Sequence, residues 1–127
     1  MSIRKTIATA TLLALPATAL VAASGPASAD AERRGACGTG RYEFSVDREG
    51  PRYEVALDLD RLGAGTRWQV VLRHNGRRLA KVVRTADREG DLEVERVARN
   101  KRGRDTFAFT ARRADGSQQC GARVRVR

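Results

Sequence analysis

Apolar side chains recur at every second position through most of the chain, with charged or polar residues between them. A strict two-residue repeat is typical of half-buried β-strands, because successive side chains of a strand point to opposite faces. After residue 40 the repeat predicts seven short strands, which we letter A, B, C, C′, E, F and G in chain order. Outside C′, the alternating apolar positions are Tyr42, Phe44 and Val46 (A), Tyr53, Val55, Leu57 and Leu59 (B), Trp68, Val70 and Leu72 (C), Leu92 and Val94 (E), Phe107 and Phe109 (F), and Ala122, Val124 and Val126 (G).

A tight hairpin is predicted between strands C and C′. Asn75 and Gly76 follow strand C directly, and both residue types accept the positive φ angles of a type I′ turn. Strand C′ then covers about residues 78–84, and its inward face stays open, because two valines stand side by side in it. Turn-rich stretches separate the other strands at short intervals, so the chain predicts an all-β sandwich.

The first 29 residues have the layout of a secretory signal peptide. Arg4 and Lys5 form a short basic region, residues 7–23 are uncharged and mostly apolar, and an A-x-A cleavage site ends at Ala29. The sequence therefore predicts a secreted, extracellular protein whose mature chain begins at Asp30. We expect no membrane span, because proline, serine and glycine interrupt the apolar run before it reaches the roughly 20 residues that a span needs.

Strand F and its surroundings carry a pattern with a known counterpart. Asp105, Phe107, Phe109 and Ala111 occupy alternate positions, an Asp-Gly turn follows, and Trp68 stands on strand C. This pattern resembles immunoglobulin-like domains, in which a D-x-Y-x-C-x-A strand leads into the last strand and a core tryptophan lies on strand C. Phenylalanine here replaces both the corner tyrosine and the inter-sheet cysteine. The resemblance, which extends to fibronectin type III domains, implies a seven-stranded sandwich of sheets A-B-E and G-F-C-C′, and it implies no function.

Two cysteines lie beyond the predicted cleavage site, Cys37 and Cys120. An exported chain meets oxidising conditions, so an even cysteine count predicts a disulfide between them. In the implied topology strands A and G run parallel, which brings the residue before A and the beginning of G to the same end of the molecule. We therefore expect a disordered mature N-terminus over residues 30–36 and one stapled domain over residues 37–127.

Charges of opposite sign fall on the two predicted sheets. If apolar residues point inward, the alternate positions point to solvent. The outward residues of A, B and E include Glu43, Asp47, Glu54, Asp58, Asp60, Asp91, Glu93 and Glu95. The outward residues of C, C′, F and G include Arg67, Arg73, Arg78, Arg84, Arg112, Arg123, Arg125 and Arg127. The formal net charge of +10 adds an unselective attraction to polyanions.

We expect a binding or cell-envelope protein that uses the basic G-F-C-C′ face for recognition. Arg73, Arg84, Arg112 and Arg125 are predicted nearest the middle of that face. The expected partner is an acidic protein, in keeping with electrostatic complementarity at interfaces. The alternatives are nonspecific binding of a polyanion, such as wall polymer or extracellular DNA, and inhibition through an exposed loop. Weak self-association of the basic sheet with the acidic sheet of another copy is a further possibility.

A run of cations without an intervening acid is predicted in the turn between strands E and F. It comprises Arg96, Arg99, Lys101, Arg102 and Arg104. Charge runs of this kind are usually solvated loops, although a loop of this composition also suits phosphate groups.

Catalytic chemistry is not indicated. The sole histidine, His74, abuts the predicted turn and is expected to be exposed, without a positioned nucleophile. We assign no catalytic residue, no metal and no cofactor. The nearest alternative is Ca²⁺ held by the acidic loops after strands B, C′ and F, which carry Asp60, Asp87 and Asp115, but no complete ligand motif is present.

Overall fold

The computed structural model describes residues 31–126, which form eight β-strands and no helix. The strands are β1 (Ala31–Cys37), β2 (Gly40–Glu49), β3 (Arg52–Asp60), β4 (Arg67–His74), β5 (Arg77–Thr85), β6 (Leu92–Arg99), β7 (Asp105–Arg113) and β8 (Gln119–Val126). The predicted signal peptide and Arg127 lie outside the described residues. Within residues 31–126, no helix is long and apolar enough to cross a membrane.

The strands form two antiparallel sheets of four strands each. The strand order is β1-β2-β3-β6 in one sheet and β5-β4-β7-β8 in the other. Strands β2 to β8 correspond to the predicted A, B, C, C′, E, F and G. Strands β2, β3 and β6 belong to one sheet, and β4, β5, β7 and β8 belong to the other. Residues from both sheets contribute to one buried core, an arrangement compatible with a β-sandwich.

Aromatic side chains from both sheets meet at the centre of the core. The ring centroid of Phe109 lies 5.0 Å from those of Tyr42 and Phe44, which come from the opposite sheet. Trp68 is fully buried, and its indole Nε1 donates a hydrogen bond to Thr66 Oγ1 at 2.9 Å. Because each buried aromatic contributes about 2–3 kcal/mol of transfer free energy, these side chains are a main source of stability.

Strand β1 corrects two predictions, the count of seven strands and the disorder of residues 31–36, while residue 30 of the predicted disordered segment lies outside the described residues. Residues 31–37 pair with β2 along their whole length. Hydrophobic periodicity could not reveal this strand, because its residues are mostly charged or small. Its neighbour Tyr42 lies over Gly35, where an added Cβ would be 2.7 Å from the tyrosine Cε1 atom. Charged residues on such an edge strand also discourage pairing with other chains.

The predicted disulfide between Cys37 and Cys120 is confirmed. Cys37 ends β1, and Cys120 lies at the start of β8. These strands are at the edges of different sheets, so the bond joins the two layers. Cys37 is also fully buried, so the bond is part of the core.

The predicted Asn75-Gly76 turn is also confirmed. Its two residues have φ angles of 51° and 80°, as a type I′ turn requires. Asn75 also anchors the turn to β7. Its backbone N–H donates to the Thr106 carbonyl at 2.8 Å, and its side-chain Oδ1 accepts from the Thr106 N–H at 2.8 Å.

A β-bulge follows this turn and changes the register of β5. Arg73 pairs with Arg78, but the preceding residue Leu72 pairs with Ala80. Leu79 is therefore an extra residue without an opposite partner, as in other bulges. Beyond it, each β5 side chain points to the face opposite to the one that a regular hairpin would give.

Arg84 is consequently not on the outer face, contrary to the prediction. It pairs with Trp68, whose side chain points into the core, so Arg84 lies on the core-facing side of the edge strand, with its side chain exposed. Lys81 and Val83 take the outward positions instead, and Val83 is 51% exposed. The open question about the inward face of strand C′ is thus decided by the bulge.

Removal of the disulfide should strongly destabilise the fold. The bond closes a loop between residues 83 positions apart, which corresponds to about 4 kcal/mol in the chain-entropy model. Urea unfolding of the oxidised protein, of the reduced protein and of the Cys37→Ala/Cys120→Ala variant measures this difference. The reduced protein is the matched control, because it keeps both side chains. Equal midpoints for oxidised and reduced protein would contradict the expectation.

Candidate functional site: a basic sheet face

The outer face of sheet β5-β4-β7-β8 carries basic side chains and no carboxylate among the outward residues of its strands. We call this surface the basic face. Its cations are Arg67, Arg73, Arg78, Lys81, Arg112, Arg123 and Arg125. Each lies opposite another outward residue of the neighbouring strand, so the assignment follows from the register of the ladder. All seven are exposed.

The densest part of the basic face is one row that crosses all four strands. Arg78 of β5 pairs with Arg73 of β4, which pairs with Ala108 of β7, which in turn pairs with Arg123 of β8. The small alanine leaves a gap between Arg73 and Arg123. Adjacent strands are about 4.8 Å apart, so Arg73 and Arg123 lie about 10 Å apart on either side of Ala108. The Arg73 guanidinium also donates a hydrogen bond to the Gly76 carbonyl oxygen at 3.4 Å.

Three of the four predicted site residues lie on the basic face. Arg73 and Arg125 are close, because their β7 partners Ala108 and Thr106 are two positions apart. Arg112 pairs with a β4 residue four positions before Arg73, which places it about 13 Å further along the sheet. Their role in binding stays a prediction. The sequence missed Lys81, because nothing local to β5 indicates the bulge.

A shallow groove of about 520 Å³ crosses the same face. Its outward-facing lining consists of Gln69, Val71, Thr110, Arg112, Gln119 and Gly121. Gly121 has no side chain to fill the groove, and a Cβ there would be 2.9 Å from the Phe109 carbonyl oxygen. A larger residue would therefore both fill the groove and strain the pairing of β7 with β8. At one side, the Arg112 guanidinium lies over Gly116 of the following turn.

The outer face of the other sheet is acidic, as the sequence predicts. We call it the acidic face. Its carboxylates are Glu32, Glu43, Asp47, Glu49, Glu54, Asp58, Asp60, Glu93 and Glu95, and its cations are Arg34, Arg41, Arg52 and Arg99. Asp91 lies just before β6, beside Asp58 and Glu93 in the same surface cavity.

Neighbouring carboxyl groups contribute to a raised pKa at three residues of the acidic face. The charge of Glu49 is the main cause that raises the pKa of Glu54. Partial burial raises the pKa of Asp58, and the nearby acids Glu43 and Glu95 raise it further. A hydrogen bond with Glu93 raises the pKa of Glu95. The acidic face therefore holds more negative charge than its own cations compensate.

The run of cations near the end of β6 is only partly a turn. Strand β6 continues through Arg99, so Arg96 and Arg99 belong to the strand, contrary to the prediction. Arg96 pairs with Val55 and lies on the core-facing side of this edge. Of the five cations in the run, Lys101, Arg102 and Arg104 occupy exposed positions in the loop.

His74 is buried, contrary to the prediction. It is 6% exposed, its ring stacks on Phe107 at 4.3 Å, and its Nε2 atom lies 2.6 Å from Asp105 Oδ1. Asp105 is fully buried and also accepts hydrogen bonds from Asn75 Nδ2 and the Lys101 N–H, each at 3.4 Å. The pair thus links the β4–β5 turn to the β6–β7 loop. Because strands β4 and β7 are far apart in sequence, only the fold could reveal it.

Tyr53 completes the polar part of this buried cluster. Burial raises the pKa of the Tyr53 phenol, and the negative charge of Asp105 raises it further. Within residues 31–126, neither the Tyr53 hydroxyl nor Asp105 Oδ2 has a hydrogen-bond partner of good geometry. Both side chains are fully buried, so this polar cluster lies inside the core at the ends of the strands.

The acidic loops do not form a metal site in the described part of the chain. No group of three or more His, Cys, Asp or Glu residues there could hold an ion. Asp87 Oδ1 instead accepts the backbone N–H groups of Glu89 and Asp91, both at 2.9 Å. Asp115 Oδ1 likewise accepts from the N–H and hydroxyl of Ser117. These carboxylates stabilise their own turns.

Comparison of the chain with protein-family models, with curated proteins and with solved structures finds no match. The basic face is therefore the candidate site on its geometry and charge alone. It presents hydrogen-bond donors in a regular array, and guanidinium groups are the donors best suited to carboxylates and phosphates.

Loss of the Asp105 carboxylate should destabilise the protein. Asp105→Ala leaves His74 buried without its partner, which costs about 3 kcal/mol or more. Urea unfolding measures the loss, and amide exchange at Lys101 should accelerate because its N–H loses an acceptor. Glu89→Ala removes an exposed carboxylate from a turn and serves as the control. Equal stability of the Asp105→Ala variant and the wild type would show that the buried pair contributes nothing.

Relief of repulsion on the acidic face should change how stability depends on pH. The folded pKa values of Glu54 and Glu95 are raised from 4.5, so folding costs free energy when they ionise. Stability from this source is present below pH 4.5 and is lost as pH rises through the raised values. Glu54→Gln/Glu95→Gln should therefore be more stable than wild type at pH 7 and equally stable at pH 3, measured by urea midpoints. A less stable variant at pH 7 would contradict the repulsion.

Proposed function

We propose that the protein is a secreted, non-enzymatic binding module that recognises an acidic partner protein through its basic face. The observation that carries the proposal is the row of Arg78, Arg73, Ala108 and Arg123 across the four strands, with no carboxylate at any outward position of the sheet. A surface of one sign steers partners of the opposite sign and rejects those of the same sign.

An immunoglobulin-like or fibronectin type III-like fold is part of this proposal. The order of β2 to β8 in the two sheets supports it, as does a fully buried Trp68 on β4. Phe107 and Phe109 are both buried at the positions where the resemblance expects core residues on strand F. In such sandwiches, an outer sheet face is a regular site of protein recognition, because its side chains are presented by a rigid scaffold.

Export is supported by two features. The N-terminal pattern that ends at Ala29 matches a cleavable signal, and the disulfide between Cys37 and Cys120 needs an oxidising compartment to persist. A non-enzymatic role is supported by the placement of the sole histidine. His74 and Asp105, the pair closest to a general base, are buried and sterically closed to substrate.

The groove favours one second candidate, a linear polyanion such as wall polymer or extracellular DNA. The side-chain gap over Gly121 leaves space for an extended chain between Arg112 and the row that contains Arg73. The two candidates differ in their response to salt. Binding of a polyanion falls linearly in log affinity with log salt, whereas a specific protein interface retains binding at high ionic strength.

Charge reversal on the basic face should abolish partner capture. Arg73→Glu/Arg112→Glu/Arg125→Glu changes three cations on the face, and we expect at least a roughly tenfold loss, since each exposed contact contributes up to about 1 kcal/mol. Capture from culture supernatant and cell-wall extract, washed at low and at high salt, provides the measurement. Polyphosphate beads over the same salt series report the polyanion candidate.

The matched control keeps the same net charge and changes only the location. Arg88→Glu/Arg102→Glu/Arg104→Glu reverses three exposed loop cations and should capture like the wild type. Urea unfolding verifies that both triple variants are folded. Equal capture by the two variants would defeat the proposal, because binding would then follow net charge instead of the face.

A further inference from the structure

Each outer face carries an excess of one sign. Among residues 31–126, none of the basic-face cations forms an ion pair. On the acidic face, Arg34 pairs with Glu32 and Glu43 at the β1 edge, and the charge of Glu49 raises the pKa of Glu54. The carboxylates of the acidic face outnumber its cations. The opposite face of another molecule can therefore neutralise the excess charge of each face.

The faces also match in geometry. Both are antiparallel ladders with strands about 4.8 Å apart and side chains on one face repeating about every 6.8 Å. The acidic face has an uninterrupted row across three strands, in which Glu43 pairs with Asp58 and Asp58 pairs with Glu93. The basic face has a row of opposite sign, in which Arg78 and Arg73 lie on adjacent strands and Arg123 lies beyond Ala108. Two neighbouring acids of one copy can therefore meet Arg78 and Arg73 of another, and the third acid then faces Ala108, between Arg73 and Arg123.

We propose that the acidic partner of the basic face is a second copy of this chain, which docks its acidic face there. This inference rests on the proposed function, because it takes the basic face as the recognition surface and names its partner. The contact is heterologous, so each copy keeps one free face of each kind. Association therefore does not stop at a dimer, and molecules stack sheet on sheet into open chains.

Salt should affect this stacking in an unusual way. The formal net charge is +10 for the full chain, or +8 once Arg4 and Lys5 leave with the signal peptide, so two copies repel at long range, whereas the two faces attract at short range. At about 0.01 M salt the Debye length is roughly 30 Å, larger than the roughly 10 Å between the sheets, so net repulsion is felt. At about 0.15 M it is roughly 8 Å, so each face responds mainly to the face opposite it. At about 1 M the Debye length is roughly 3 Å, so the attraction between the two faces is screened as well.

Sedimentation velocity on the oxidised protein at these three salt concentrations tests the proposal. We expect the mean mass to rise with protein concentration at the intermediate salt, and less at both extremes. A polyanion binder that does not stack stays monomeric throughout. A wild-type protein that is monomeric at all three salts up to millimolar concentration would overturn the proposal.

Two neutralised variants make the test specific. Glu43→Gln/Asp58→Asn/Glu93→Gln removes the acidic row and keeps the basic face. Arg73→Gln/Arg78→Gln/Arg123→Gln does the reverse. Each variant alone should be monomeric, and an equimolar mixture should stop at the mass of a dimer, because the remaining faces can form one contact only. Association by either variant alone as strong as wild type, or none in the mixture, would refute stacking.

The acidic-row variant also separates this inference from the proposed function. It retains every basic-face cation, so it should capture a partner from culture supernatant or cell-wall extract as the wild type does, if such a partner exists. Capture by this variant without any stacking of the wild type would reject the second copy and leave the proposed function standing. Failure of capture together with normal stacking would leave the second copy as the partner of the face.

Discussion

The alternation of side chains between the two sides of each strand is the constraint on which the rest of this structure depends. It places Phe44 and Trp68 in the core and the residues between them in solvent. The core needs only every second position, so the intervening positions are free to carry charge of either sign. This chain uses acids on β2, β3 and β6 and cations on β4, β5, β7 and β8.

Two links fasten opposite ends of the molecule. The disulfide reaches Cys120 at the beginning of β8 and joins the two sheets, while Asp105 at the beginning of β7 meets His74 at the end of β4 within one sheet. Because β7 and β8 are antiparallel, the beginnings of these strands lie at different ends. The covalent link between the sheets holds even though each outer surface carries like charges that repel.

Local signals in the sequence predicted what local chemistry determines. Asn75 and the glycine after it fix their turn through allowed φ angles, and period-two runs identify strands β2 to β8. The sequence-based predictions failed where contacts between separate strands determine the structure. Strand β1 forms because it pairs with β2, and His74 is buried because it contacts Asp105 on another strand. Arg84 lies on the core-facing side because one extra residue enters the hairpin.

That extra residue decides which side of β5 faces solvent. If the same sequence paired without the bulge, Val83 would lie opposite Trp68 and Arg84 opposite Arg67, so these two residues would exchange faces. Deletion of Leu79 would not have this effect, because every other residue of β5 would keep its present partner. A substitution in the turn that favours or removes the bulge can therefore change the charge on this side of the sheet without replacing any of the residues that form it.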